Sequence, residues 1–230
     1  MINFPITIVD DFLGNPDMFR EFALKQEFNK SKFGNFPGKR TRPLHELNVD
    51  MYNYLNAKIM SLYYDLNLQQ LDWTSITSFD LMKPYTSDND IDKNIGWIHQ
   101  DGKHSIVGLI YLSPNETESG TCFYNKNELY EIPQEFIDAK EEYYLDMSDE
   151  KKAKKYFDTK KIHNSNFTKT ASVSPIYNRL ICYDAKMYHA YDNMSKIRSD
   201  RLTLNFFFDK INVDKTPLER VYSYDKRKRT

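Results

Sequence analysis

The feature that most constrains the fold is a succession of short β-type runs that begins at Trp73. Each run is rich in Ile, Val, Tyr, Phe and Thr and is bounded by turn residues. The runs are 74–85, 94–102, 104–114, 120–125, 169–175, 178–185, 187–193 and 201–209. Short strands in such a series are typical of a β-sandwich or a jelly roll, so we expect a mainly β fold.

Helical patterns are gathered in front of these runs. Residues 6–9 alternate as a short strand does. Asn15 is a good N-cap, and Pro16 follows at the first helical position, which predicts a helix from Pro16 to about Phe28. A second helix is expected over 50–66, where apolar residues recur at helical spacing. These helices would support the β core in an α+β arrangement.

The remaining segments complete a single expected domain. A charged, helix-prone stretch at about 134–161 interrupts the strands and is interpreted as an insertion between them. We therefore expect one domain over 1–230. It would comprise an N-terminal strand and helices in 1–72, a jelly-roll core in 73–209 that carries the 134–161 insertion, and a C-terminal tail in 210–230.

Charge and composition bear on partners and location. The 32 Lys and Arg residues nearly balance 33 Asp and Glu residues, so nucleic acid and anionic membranes are not expected partners. The KRKR run at 226–229 is interpreted as a solvated tail. No run is apolar over the length of a membrane span, and no signal peptide is visible. Cys122 and Cys182 lie in apolar runs and suit a reducing compartment, so a cytoplasmic location is expected.

The first chemical signal is the triplet His99-Gln100-Asp101. Residues two apart on a strand point to the same side, so His99 and Asp101 would face one way together. His189 lies in another strand-like segment, within reach only if the sheet curls back. Two histidines and one carboxylate form the facial set of non-haem Fe(II) oxygenases, which leaves open positions on the metal. Two imidazoles and a hard carboxylate suit Fe(II) or Mn(II) better than they suit the zinc of thiolate-rich sites.

The last run adds a possible anion site. Arg201, Thr203 and Asn205 share one face of the predicted strand, and alternate apolar residues share the other. The polar face could meet solvent, or it could line a pocket close to His189. In a pocket, the planar fork of Arg201 could hold the distal end of a dicarboxylate, and the Thr203 hydroxyl could add a hydrogen bond.

Together these residues resemble the Fe(II)- and 2-oxoglutarate-dependent dioxygenases, in particular their prolyl-hydroxylase-like branch. The likeness spans 74–209 and rests on the residues His99, Asp101, His189, Arg201 and Thr203. The front of the chain is also similar to small oxygenase-like proteins found in phages. The resemblance implies a double-stranded β-helix that holds Fe(II), 2-oxoglutarate and O2. It also implies that Arg201 and Thr203 hold the distal carboxylate of 2-oxoglutarate, with Tyr111, Asn205 and Tyr85 as further candidates.

The substrate side is less constrained, and other functions stay open. Arg40 and Arg42, in a basic loop, could form an electropositive rim, and His104 could be a fourth ligand or a substrate-binding group. The expected substrate is a peptide side chain or a small molecule. One alternative is a metal-dependent hydrolase that uses His99, Asp101, His104 and His189, and another is a metal-free jelly roll that binds sugars or forms part of a virion. The oligomeric state cannot be read from the sequence.

Overall fold

The predicted series of strands folds into two antiparallel sheets. The computed structural model of the chain describes residues 4–30, 38–68, 70–84, 91–114, 119–195, 200–214 and 217–218. The strands are β1 (Thr7–Val9), β2 (Asn29–Lys30), β3 (Lys39–Arg40), β4 (Asp72–Met82), β5 (Ile106–Tyr111), β6 (Thr121–Lys126), β7 (Phe167–Val173), β8 (Leu180–Asp184), β9 (Tyr188–Tyr191) and β10 (Arg201–Asn212). The helices are α1 (Pro16–Leu24), α2 (Leu44–Leu47), α3 (Val49–Met60), α4 (Ile91–Asn94), α5 (Gln134–Leu145) and α6 (Glu150–Asn164).

The topology joins strands that are distant in sequence. One sheet has the order β1-β8-β5-β10-β4-β3-β2, and the smaller sheet has the order β7-β6-β9. The long strand β10 lies between β5 and β4, with Thr203 opposite Tyr111 on one side and opposite Asp80 on the other. The expectation of a mainly β jelly-roll fold with supporting helices is confirmed.

The larger sheet buries both of its faces. On one face, alternate residues of β10, namely Leu202, Leu204, Phe206 and Phe208, pack in a core with helices α1 and α3. On the opposite face, Val107, Tyr111 and Tyr183 form an inner core with residues of the smaller sheet. Because side chains alternate along a strand, Arg201, Thr203 and Asn205 lie on this inner face. The predicted polar face of β10 therefore does not meet solvent but lines the inside of the jelly roll.

Both long N-terminal helices end earlier than expected. Asn15 Oδ1 accepts from the Met18 N–H at 3.1 Å and starts α1 as predicted, but α1 ends at Leu24. The helix expected over 50–66 is α3, which ends at Met60. The chain leaves the helix there and buries Tyr63, whose hydroxyl contacts Cys182 Sγ at 2.8 Å. Apolar residues continue past Met60, so the sequence pattern identifies the buried residues but not the residue at which the helix ends.

The charged segment between β6 and β7 forms the helices α5 and α6. They pack on each other through aromatic rings, with Tyr143 stacked on Tyr156 at a centroid distance of 4.4 Å. These aromatics form a small separate core that also includes Trp97, next to the predicted metal ligands. No helix in the described ranges is long and apolar enough to cross a membrane.

Candidate metal centre

The structure brings the side chains of His99, Asp101 and His189 together. One ligand atom from each of the three lies within 4.8 Å of the others. Asp101 Oδ2 lies 3.3 Å from His189 Nε2, and Asp101 Oδ1 lies 3.8 Å from His99 Nε2. Backbone hydrogen bonds run both ways between His99 and His189, at 2.9 and 3.0 Å, and hold the two imidazoles side by side. Two imidazole nitrogens and a carboxylate that converge in this way can bind a divalent cation such as Fe(II).

The backbone fixes the tautomer of both histidines. His99 Nδ1 lies 2.8 Å from the Trp97 carbonyl, and His189 Nδ1 lies 3.0 Å from the Met187 carbonyl. A carbonyl can only accept, so each Nδ1 carries the proton and donates it. Each Nε2 is then left with a lone pair directed at the shared position. This is the outer-shell arrangement that orients metal-binding histidines.

The electrostatics leave these groups ready to bind a cation at neutral pH. Desolvation lowers the pKa of His99, and His189 and Lys140 add to the effect, although 39% of its side chain is exposed. Burial alone would raise the pKa of Asp101, but the neighbouring imidazoles of His189, His99 and His104 hold it below its ordinary value. His99 is therefore neutral and Asp101 ionised at neutral pH, so a cation displaces no proton from either.

The segment that carries His99 is not the expected strand. After α4 the chain is irregular from Ile95 to Ser105, and its ladder contact is the single bridge between His99 and His189. Gly96 allows a close approach to β9, since a Cβ there would lie 3.0 Å from the Ala190 Cβ. The sequence pattern suggested a strand because these residues are buried. Several of their backbone N–H and C=O groups are hydrogen-bonded by side chains instead of by a neighbouring strand.

Helix α6 supplies those side chains. Asn164 accepts from the Ile98 N–H at 3.1 Å and donates to the Gly96 carbonyl at 2.9 Å. Lys160 Nζ donates to the carbonyls of Lys93 and Ile95 at 2.7 and 2.8 Å. Lys160 and Asn164, one turn apart on α6, thus make the hydrogen bonds that a neighbouring strand would otherwise make. They hold in place the segment that leads to His99.

His163 belongs to the same helix face, although its spacing suggested no partner. Its Nε2 donates to the Ile98 carbonyl at 2.8 Å, and its ring stacks on Trp97 at 4.4 Å. The Tyr130 hydroxyl then donates to Nδ1 at 2.9 Å. The available signal was the positions of Tyr156, Lys160 and His163, which recur at the i, i+4, i+7 spacing of one buried helix face.

Replacing His163 with glutamine is expected to reduce the acid sensitivity of the fold. Burial lowers the pKa of His163 to about 4, below its ordinary value of 6.5, so the folded state resists protonation. Its contribution is intact above pH ~6.5 and is lost as pH falls toward ~4, by at most about 3 kcal/mol. Urea unfolding at several pH values checks this prediction. The gap between wild type and His163→Gln should narrow on acidification, and a constant gap would contradict it.

Arg201, Thr203 and Tyr111 meet inside the jelly roll. Arg201 is 4% exposed, its Nε donates to the Ser119 carbonyl at 3.0 Å, and its guanidinium lies 5.3 Å from the centre of the Tyr111 ring. No carboxylate among the described residues lies within salt-bridge distance of it. The Thr203 hydroxyl is fully buried and likewise has no hydrogen-bond partner in those ranges. A buried cation beside an unsatisfied hydroxyl is suited to receive an anion.

Tyr183 connects this buried cation to the three ligands. Its ring lies 4.8 Å from the His189 ring. Burial raises the pKa of Tyr183 well above its ordinary value, and the charges of Asp101 and Arg201 act on it in opposite directions. Tyr183 thus packs against His189 and lies within electrostatic range of both Asp101 and Arg201.

Asn205 and Arg40 converge on a different buried group. Asp80 is fully buried, accepts from Asn205 Nδ2 at 2.7 Å and pairs with Arg40 Nε at 2.9 Å. Burial raises the pKa of Asp80, and Arg40, Ser78 and Arg201 oppose that rise. Asn205 Oδ1 is buried without a partner in the described part of the chain. Arg40 thus belongs to a buried ion pair, where the sequence suggested an exposed basic rim.

The structure does not bring the remaining candidates into the ligand group. His104 binds Asp209 through its Nδ1 and packs on Phe207, at a centroid distance of 5.2 Å. Arg42 is exposed and lies 3.7 Å from Glu46, one helical turn further on. Tyr85 and the basic run at 226–229 lie outside the described residues.

Solved structures share this fold at low sequence identity. The epimerase SnoN from nogalamycin biosynthesis, described as non-haem and α-ketoglutarate-dependent, superposes with a TM-score of 0.54 and 12% identity over 93% of this chain and 82% of its own. A prolyl hydroxylase from Trichoplax adhaerens gives 0.51 and 11% identity over 88% and 82%. HygX from Streptomyces hygroscopicus, solved with nickel and 2-oxoglutarate, gives 0.51 and 10% identity over 90% and 83%.

The chain therefore has the fold of the 2-oxoglutarate–Fe(II) oxygenases, with prolyl hydroxylases among its structural neighbours, as the resemblance predicted. Its own family is narrower. Residues 3–208 match the family described as "family of unknown function (DUF6445)", and the chain belongs to it. No curated protein sequence matches the chain. The likeness of its front end to phage proteins stays a prediction.

Proposed function

We propose that this chain is an Fe(II)- and 2-oxoglutarate-dependent oxygenase. The observation that carries the proposal is the convergence of His99 Nε2, His189 Nε2 and the Asp101 carboxylate, with both Nδ1 protons held by backbone carbonyls. Two imidazoles and one carboxylate leave open positions on a six-coordinate ion. The structural neighbours SnoN and HygX have been solved with iron, and HygX also with nickel and 2-oxoglutarate, which supports the choice of metal and co-substrate.

The residues of the inner face would hold the co-substrate. Arg201 offers a buried fork of N–H donors to a carboxylate, and the Thr203 hydroxyl could donate to the same group. Tyr111 would pack against both, because the Arg201 guanidinium already lies over its ring. Asn205 lies two residues beyond Thr203, but its Nδ2 already donates to Asp80 and its Oδ1, unpaired in the described residues, can only accept, so it is less suited to a carboxylate. We therefore assign the distal carboxylate to Arg201 and Thr203, with Tyr111 as a wall.

The chemistry would couple substrate oxidation to decarboxylation of the co-substrate. When bound, iron with 2-oxoglutarate and O2 supplies oxidising power, and 2-oxoglutarate becomes succinate and CO2. The protein would keep His99 and His189 in the Nδ1–H tautomer, keep Asp101 ionised and exclude water with the aromatic residues of the inner core. Hydroxylation is the proposed outcome, on a peptide side chain or a small molecule.

Purified protein is expected to convert 2-oxoglutarate to succinate only when Fe(II) and O2 are present. Without O2, adding 2-oxoglutarate to the Fe(II) protein should produce a weak visible absorption band, because the co-substrate would bind through the metal. Succinate measured by mass spectrometry checks the first result, with Zn(II)-loaded protein as the control. Neither a band nor succinate above an enzyme-free reaction would contradict the proposal.

The hydrolase alternative is less well supported. It needs His104 as a further ligand, but the imidazole of His104 is bound to Asp209 and packed on Phe207. It also gives no role to a buried arginine without a carboxylate partner in the described ranges. Activity without 2-oxoglutarate would favour the hydrolase, and unchanged function after His99→Ala would favour a metal-free binding protein.

A further inference from the structure

A cavity of about 240 Å³ opens beside the ligand group. It lies between the loop that carries His99 and helix α5 of the insertion, with Trp97, Ile137, Lys140 and Tyr188 among its walls. His99 has the most exposed side chain of the three ligands, at 39%, and it also lines this cavity. A group in the cavity would therefore lie next to the metal position.

Lys140 is the cation of this cavity. Its Nζ lies 5.5 Å from the centre of the Trp97 ring, and burial lowers the pKa of its ammonium group to about 8. Asp101 and Glu141 act on its charge, but no carboxylate in the described ranges lies within salt-bridge distance of it. A carboxylate placed in the cavity could therefore pair with the ammonium group.

The other walls favour an apolar body. Trp97 is buried and its indole is fixed by stacking on His163 and Tyr156. Ile132, Ile137 and Tyr188 add apolar surface around it. The volume is below the range of about 300–1,000 Å³ that drug-sized ligands occupy. A small molecule with one flat or branched apolar part and one anionic end fits these dimensions and charges.

We propose that this cavity is the substrate pocket and that Lys140 pairs with the carboxylate of a small organic acid. The role of the acid as the substrate that is oxidised rests on the proposed function, but the binding of the acid to this cavity does not. Lys140 would act as a specificity determinant, placing the carbon framework of the acid against Trp97 and beside His99. It belongs to the insertion between β6 and β7 and not to the sheets that carry His189 and Arg201.

Benzoate and its neutral counterpart benzamide test the pairing directly. The chain has two tryptophans, so a Trp73→Phe background leaves Trp97 as the single tryptophan, and selective tryptophan excitation then reports on the pocket. With Mn(II) and saturating 2-oxoglutarate bound, benzoate should change the emission saturably and bind about 10-fold or more tightly than benzamide. Lys140→Gln should remove that preference. The matched control Lys154→Gln, at an exposed lysine on α6, should keep it.

Three results would overturn the proposal. Benzoate and benzamide could bind equally, benzoate could fail to bind at any millimolar concentration, or Lys140→Gln could leave the preference intact. A fourth result, equal weakening of 2-oxoglutarate and benzoate by Lys140→Gln, would place Lys140 in the co-substrate site and equally overturn it. Repeating the titration on metal-free protein separates this inference from the proposed function. Suppose that metal-free protein still prefers benzoate to benzamide, but that Mn(II)-loaded protein does not bind 2-oxoglutarate. The proposed oxygenase function would then be rejected, and the pairing of Lys140 with a carboxylate would stand.

Discussion

Asp101→Ala is expected to abolish metal binding and, with it, any 2-oxoglutarate turnover. Asp101 is the only anionic member of the ligand group, and its oxygens lie 3.3 and 3.8 Å from the Nε2 atoms of His189 and His99. Two neutral imidazoles alone bind Fe(II) or Mn(II) weakly. Loss of an outer-shell partner already costs roughly 10–100-fold in metal affinity, so loss of this ligand should cost more. Calorimetric titration with Mn(II) measures the effect.

The matched control is Asp209→Asn. Asp209 is also a carboxylate paired with a histidine, but its partner His104 lies outside the three-ligand group. This variant should therefore bind Mn(II) as wild type does. If Asp101→Ala retained wild-type affinity, or if both variants lost it equally, the metal centre would not be where the three side chains converge.

The sequence was sufficient for the fold class because alternation along the strands is a short-range pattern, whereas the pairing of His99 with the distant His189 rested on the resemblance to a known family. Alternation along β10 separates Leu202, Leu204 and Phe206 from Arg201 and Thr203, and the structure places these sets on opposite faces of the sheet. Whether the polar face met solvent or a pocket could not be read from alternation. That choice depends on the smaller sheet, whose strands cover the inner face from elsewhere in the chain.

The hydrophobic pattern of the sequence could not predict contacts between segments that are distant in the chain. His163 contacts the backbone at Ile98, 65 positions away; its helical spacing marks it as buried but does not identify this partner. Arg40 was interpreted as part of an electropositive rim on a basic loop, but it pairs with the buried Asp80 across two strands. Lys140 was one charge among many in a helix-prone segment. Each position acquires its role only when the fold brings its partner to it.

Arg201→Ala should weaken 2-oxoglutarate binding by about 10- to 100-fold while leaving Mn(II) affinity unchanged. Hydrogen bonds to charged groups contribute about 1.5–3 kcal/mol, and the guanidinium would lose more than one of them. Arg201→Lys keeps the charge without the fork, so its affinity should fall between those of wild type and alanine. Arg42→Ala removes an exposed arginine paired with Glu46 and serves as the control that keeps wild-type affinity.

Thermal unfolding distinguishes this binding role from a structural one. A ligand that binds the folded state raises the Tm, so 2-oxoglutarate with Mn(II) should stabilise wild type and Arg42→Ala but not Arg201→Ala. Without ligand, Arg201→Ala should lose some stability, since the hydrogen bond to Ser119, the packing on Tyr111 and part of the charge compensation of Asp80 are removed. A large fall in Tm with the 2-oxoglutarate shift retained would show that Arg201 is structural. The dianion would then have to bind elsewhere on the inner face.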